Sequence, residues 1–214
     1  MWKILGTGAG TRPRARLRSA LAAAALAIVA GLAACSKAPK DGAPADGVIR
    51  LSDQFSSDFS LVDQNGKAAA DEDFRGKMMI VYFGFASCPD VCPLALGSLS
   101  AALNELSAKE RAEIAPLFIT VDPERDTPEN LKAYLSFDER LIGLTGSPEA
   151  AQAARQSFKV YARKVPQPDS AMGYTMDHSS LFYIVDRKGA PQLALEDSLT
   201  AAELAEMLRR SIRE

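Results

Sequence analysis

Met78 to Phe85 is an uninterrupted apolar run, Met-Met-Ile-Val-Tyr-Phe-Gly-Phe. A run of this length without polar alternation reads as a β-strand buried on both faces, and such a strand belongs inside a sheet. Leu96, Leu99, Leu103 and Leu106 follow at spacings of 3, 4 and 3, which is one stripe of an amphipathic helix. The same change of period recurs down the chain. Phe59 to Val62 and Lys67 to Ala69 flank Gln64-Asn65-Gly66, a hairpin-turn signal. Ile114 to Val121 is the next strand, and Thr127-Pro128 and Ser147-Pro148 each place a capping hydroxyl before a proline suited to a first helical turn. The second of these opens an alanine-rich helix ending at Phe158. Leu181 to Val185 is a strand, Asp186 to Gly189 turns into another near Gln192 to Leu195, and Thr200-x-x-Glu203 is a capping box for a last helix. No internal repeat is visible. The alternation predicts one α/β domain over residues 50–214, with a central mixed sheet flanked by helices and an N-terminal β-hairpin.

The residues before this domain read differently. Arg12, Arg14, Arg16 and Arg18 precede an uncharged apolar run of sixteen residues, Ser19 to Ala34. That fits the basic and hydrophobic regions of a secretory signal, and is short of the about 20 residues a spanning helix needs. The run ends in Leu32-Ala33-Ala34-Cys35, which resembles the lipobox of bacterial lipoproteins. Cleavage there would leave Cys35 as a lipidated first residue; the alternative is an uncut membrane anchor. Residues 36–49 have no apolar period and read as a flexible tether with a root-mean-square span of roughly 20 Å. The expected product is an extracytoplasmic, membrane-anchored lipoprotein on the periplasmic side. Losing residues 1–34 removes five of the 25 basic side chains and none of the 27 acidic ones, so the net charge falls from −2 to −7. Neither balance suits nucleic acid, whose phosphates need a basic surface. Trp2, the only tryptophan, is lost with the segment.

Chemistry concentrates in Cys88-Pro89-Asp90-Val91-Cys92-Pro93, at the junction of the buried strand and the leucine-striped helix. A helix N-terminus favours thiolate over thiol. No Lys or Arg lies between Met78 and Ala108, however, and Asp90 sits between the cysteines. Three readings of the pair are open. A structural disulfide would close a five-residue loop and add little stability. A thiol–disulfide exchange site would usually space its cysteines by two residues rather than three. A metal site would suit Cu(I) or Zn²⁺, which two thiolates bind well, with a histidine as third ligand. His178 is the one histidine in the chain, so a motif requiring two is excluded. It lies in Tyr174-Thr175-Met176-Asp177-His178-Ser179-Ser180, directly before the Leu181 strand.

Gly76-Lys77, Val81 to Phe85, Cys88 to Pro93, Val121 to Pro128, Leu144-Thr145-Gly146 and Asp177 to Ser180, in that order, resemble the signature blocks of the Sco/SenC copper proteins. Ala86 and Met176 are mild departures from them. The resemblance runs from about residue 55 to 210. It implies a thioredoxin-like domain that binds one copper, as Cu(I), Cu(II) or both, through Cys88, Cys92 and His178. It also implies a redox-active Cys88–Cys92 disulfide as an alternative state of the pair. Family members deliver copper to, or maintain the thiols of, the dinuclear copper centre of cytochrome c oxidase. The implied partner is therefore that copper-centre subunit or another copper protein, with the membrane reached through the lipid anchor. A thiol–disulfide oxidoreductase, or a peroxidase-like or redox-sensing protein on the same scaffold, is the competing reading. Asp90 and Asp177 are candidates to orient the ligands. Met172 and Met176 are possible soft auxiliary ligands that read better as packing. Asp122 to Pro128 reads as a strand end and helix cap, without chemistry of its own.

Overall fold

A computed structural model of the chain describes residues 47–213. The expected signal, its lipobox, Cys35 and nearly all of the tether lie outside these residues. The strands are β1 Val48–Arg50, β2 Ser60–Asp63, β3 Ala68–Ala70, β4 Met78–Gly84, β5 Ile114–Thr120, β6 Ile142–Thr145, β7 Ala162–Gln167, β8 Gly173–His178, β9 Leu181–Val185 and β10 Pro191–Glu196. The α-helices are α1 Val91–Glu105, α2 Ala108–Ala112, α3 Pro128–Tyr134, α4 Pro148–Ser157 and α5 Ala201–Arg213, and a 3₁₀ turn spans Asp71–Phe74.

Eight strands form one mixed sheet in the order β1-β10-β9-β4-β5-β6-β2-β3. β4, β5 and β6 are parallel neighbours, and the other pairs are antiparallel. Every residue of β4 and β5 is buried, which is why their sequences carry no polar alternation. Register sorts their aromatic side chains to two faces. Tyr82 is paired across the sheet with Phe118 and Phe182, and the three rings pack together. On the opposite face Phe83 meets Tyr183 and Phe158, the latter at the end of α4.

The leucine stripe is buried throughout: Leu96, Leu99, Leu103 and Leu106 all point into the core, while Leu94 on the outer face is 66% exposed. The expected caps also form. Thr127 and Ser147 accept from the backbone N–H groups of Asn130 and Ala150. Thr200 and Glu203 bond reciprocally. The β2–β3 hairpin forms as read, with Gly66 at φ +79° in its turn.

Two differences matter. The tether was expected to run to residue 49, but Val48–Arg50 is the edge strand β1, paired with Leu193–Leu195 of β10. Three residues are too few to show a period. The second is a separate two-stranded ribbon, β7–β8. His178 is therefore the last residue of a strand of its own, paired with Ala162.

Leu99→Ala should lower stability by about 2–5 kcal/mol, through lost burial and the cavity left behind. Leu94→Ala should stay within about 0.5 kcal/mol of wild type. Urea denaturation of the reduced protein compares the two.

Candidate metal centre

The cysteine pair is set by the last residues of β4 and the first turn of α1. Phe85 to Pro89 connect the two elements, and Asp90 is the N-cap of α1. Cys92 lies inside the first turn with no exposed surface, and Cys88 is 8% exposed. The Cys92 backbone N–H points at Cys88 Sγ, 3.5 Å away. The two cysteines are not joined in a disulfide.

Gly84 makes this packing possible. A Cβ there would stand 2.9 Å from Cys92 Sγ and 2.8 Å from the Phe118 ring, closer than a side chain tolerates. The connection itself is tied from below. The buried Asp126 carboxylate accepts from Ala86 N–H at 3.1 Å and from the Thr120 hydroxyl at 2.6 Å. Burial pushes the Asp126 carboxyl above its ordinary range.

His178 reaches the pair from the ribbon. Its Nε2 lies 3.7 Å from Cys92 Sγ, and its Nδ1 lies 2.9 Å from the Ser179 carbonyl oxygen. A carbonyl only accepts, so Nδ1 carries a proton; Nε2 faces the thiols, with a lone pair for a ligand bond when the ring is neutral and a proton to donate to a thiolate when it is charged. Phe85 and Tyr82 stand edge-on to the imidazole, with ring centres 5.8 and 6.4 Å away. The Tyr82 hydroxyl pairs with Ser180 Oγ at 2.8 Å, and both hydroxyls face the Asp197 carboxylate.

The thiols are electrostatically unequal. A hydrogen bond from the Cys92 thiol holds Cys88 well below the ordinary thiol range. Burial opposes this, while His178 and the backbone N–H groups of Asp90 and Cys92 assist it. Cys92 is pushed up, first by that same bond to Cys88 and then by burial. The pair thus favours negative charge on Cys88 and the proton on Cys92, the two titrating together. The sequence offered only the helix end as an activator, because it lacks a nearby cation; the second thiol and the imidazole supply the rest.

The other candidates separate. Asp177 does not orient His178. Neighbouring residues of a strand face opposite sides, and Asp177 is exposed, facing Tyr161 and Arg163; the Ser179 carbonyl takes the expected role. The Asp90 side chain is exposed and makes no capping bond, so its contribution to Cys88 comes from its backbone N–H. Met176 packs against the core. Met172 lies in the turn between β7 and β8, at the end of the ribbon away from His178.

A family model described as SCO1/SenC matches residues 49–213. The chain belongs to the SCO1/SenC family. An SCO2-like protein of Rickettsia felis is 40% identical over 137 residues, which are 64% of this chain and 66% of that protein, so the chain spans about two thirds of the relative it matches. The structure of Bradyrhizobium japonicum ScoI with copper bound is 42% identical, covering 73% of this chain and 99% of that one at a TM-score of 0.67. Yeast Sco1 with copper bound is 34% identical, covering 75% and 90% at a TM-score of 0.69. These SCO1/SenC neighbours share the thioredoxin-like architecture, so the expected fold class holds.

The donor set fits copper. Two thiol sulfurs suit Cu(I), and an imidazole nitrogen extends the range toward Cu(II). As it stands the trio is not a closed cage: among the described residues no three His, Cys, Asp or Glu side chains are gathered tightly enough to grip an ion. The sequence reading missed Gly84, Tyr82 and Asp126. Each is defined by a contact with a residue remote in sequence or packed from another element, so no local pattern marks it.

A thiol with a depressed pKa stays ionised as pH falls, where an ordinary thiol of pKa about 8.5 has gained its proton. Iodoacetamide at pH 6 should therefore modify Cys88 and spare Cys92 in the reduced, metal-free protein, as read by peptide mass spectrometry. Equal modification would contradict the asymmetry.

Proposed function

We propose that this chain is a membrane-anchored, extracytoplasmic copper carrier that holds one copper ion through Cys88, Cys92 and His178. Its cargo would pass to a copper protein, with the copper-centre subunit of cytochrome c oxidase as the candidate recipient. The Sco family is one of copper-binding proteins of cytochrome c oxidase assembly. The observation that carries the reading is the imidazole: Nε2 stands 3.7 Å from Cys92 Sγ while Nδ1 is engaged by Ser179. A simple dithiol needs no such partner. The lipobox-like Leu32 to Cys35 and the stretch after it support anchoring through a lipidated Cys35, with a tether long enough for the domain to reach a neighbour in the same membrane.

The residues divide the work. Cys88, the thiol held below its ordinary range, gives the first sulfur. Cys92 gives the second on losing its proton, since thiolates are the ligands and metal binding releases protons. His178 gives nitrogen, which lets the site keep copper across a change of oxidation state. Release is ligand exchange, one recipient donor at a time, at a site bounded by a helix start and the end of a ribbon. Val91 is 44% exposed and Leu94 66% exposed on the outer side of the first turns of α1, an apolar rim beside the thiols on which a recipient can rest.

The asymmetric pair also favours a second reading, thiol–disulfide exchange. The Cys88 thiolate would attack a partner disulfide and expel one partner sulfur as thiolate. Cys92, losing its proton, would then attack the mixed disulfide, leaving Cys88–Cys92 oxidised and the partner reduced. An oxidised pair has no thiolate for a metal, so the two activities alternate rather than coincide.

The reduced protein should bind one copper. Cys88→Ser or Cys92→Ser should abolish tight binding. His178→Ala should cost at least about tenfold in Cu(II) affinity, or about 1.4 kcal/mol, while leaving disulfide reduction of a model substrate intact. Competition titrations with chelators measure the copper affinities of the wild type and of all three variants. Copper affinity indifferent to His178 would contradict the three-ligand site.

A further inference from the structure

We infer that Arg125 is a positioning residue for the metal centre: clamped between Asp122 and Tyr174, its guanidinium fixes the strand that delivers His178 to the cysteines. The inference rests on the copper reading given above. It starts from the isolation of the ribbon. β7 and β8 pair only with each other, and two strands alone are marginal in water. Something other than a sheet ladder must hold His178 in register against the thiols.

Beyond His178, Ser180 is bonded to Tyr82 and Asp197; the charged tie lies at the other end of β8. Arg125 sits in the connection between β5 and α3. Its Nε donates to Asp122 Oδ2, and its Nη1 donates to the Tyr174 carbonyl oxygen at 3.1 Å. The guanidinium carbon lies 3.8 Å from the centre of the Tyr174 ring. The Tyr174 hydroxyl returns to Asp122, donating to Oδ1 at 2.8 Å. Asp122, Arg125 and Tyr174 thus form a closed ring of contacts around a carboxylate with no exposed side-chain surface. Lys164 of β7 adds a second cation 4.7 Å from the same aromatic ring and pairs with Glu124 at 2.5 Å.

Strand geometry carries this hold to the site. Tyr174, Met176 and His178 are at i, i+2 and i+4 and share one face of β8. The first is clamped, the second packs against the core, and the third meets Cys92. A slip of one residue would turn the face over and present Asp177 or Ser179 instead. Apolar contact at Met176 tolerates sliding; a guanidinium bonded to both a carboxylate and a fixed carbonyl does not. Stability alone is a weak reason for the arrangement, since burying an ion pair costs desolvation that apolar packing avoids. The adjacent residue completes the picture. Asp126 holds Ala86, two residues before Cys88. Consecutive residues of one loop therefore grip both halves of the centre, Asp126 the cysteine side and Arg125 the histidine side.

NMR of the reduced, metal-free protein tests this directly. The His178 ring protons should carry ring-current shifts from Phe85 and Tyr82. In Arg125→Met those shifts should collapse toward values of an exposed histidine, and β8 amides should exchange faster, while the amides of β4 and α1 keep their protection. Arg125→Lys should not restore them, because an ammonium lacks the planar fork. Cu(II) retention by Arg125→Met should fall toward that of His178→Ala. Unchanged His178 shifts in Arg125→Met would overturn the inference. If that variant fails to fold, Tyr174→Phe, which loses only the bond to Asp122, should shift the same signals in the same direction, and no movement there would overturn it too. Should wild type and His178→Ala retain Cu(II) alike, the copper reading fails instead, and the metal-free shifts still judge the clamp.

Discussion

The centre depends on how closely the start of α1 approaches the end of β4. Cys92 occupies the space that a side chain at position 84 would fill, so the thiol rests directly on the central strand and Phe118. That contact buries Cys92, aims its backbone N–H at Cys88 and puts its sulfur within reach of His178. It also makes the two thiols different. Burial and the bond between them favour the proton on Cys92 and negative charge on Cys88. Widening this approach by a methyl group would loosen the geometry and the charge pattern together.

An asymmetric pair is suited to a transient cargo. A site with both thiolates preformed would pay for two buried negative charges before any metal arrived. Here one charge is present and the second appears only as the proton leaves. The imidazole is held by a backbone carbonyl, so it needs no carboxylate to set its tautomer. These features support a centre that closes on an ion when offered one and opens again by ligand exchange.

Much of this was legible because it is local. The Met78 to Gly84 strand, the leucine stripe and the caps at Thr127, Ser147 and Thr200 each follow from residues a few positions apart. The cysteine pair was legible as a strand–helix junction, and His178 by being the one histidine. The β7–β8 ribbon was not. Arg163, Lys164, Gln167 and Asp177 are exposed, and Pro166 lies within β7, so neither strand shows an apolar period. Asp122 to Pro128 read as a strand end and a helix cap, and Thr127 does cap α3. The segment's further links, from Asp126 to Ala86 and from Arg125 to Tyr174, span 40 and 49 residues and have no signature in a local window. Gly84 is of the same kind: its need for a missing side chain comes from Cys92 and Phe118, on other elements.

In the proposed centre one imidazole and two thiolates act as a single ligand set. X-ray absorption on the copper-loaded protein beside its His178→Ala variant counts those ligands. Two sulfurs and one nitrogen donor are expected in the wild type, with the sulfurs kept and the nitrogen lost in the variant. The same sulfur and nitrogen shell in both proteins would contradict it.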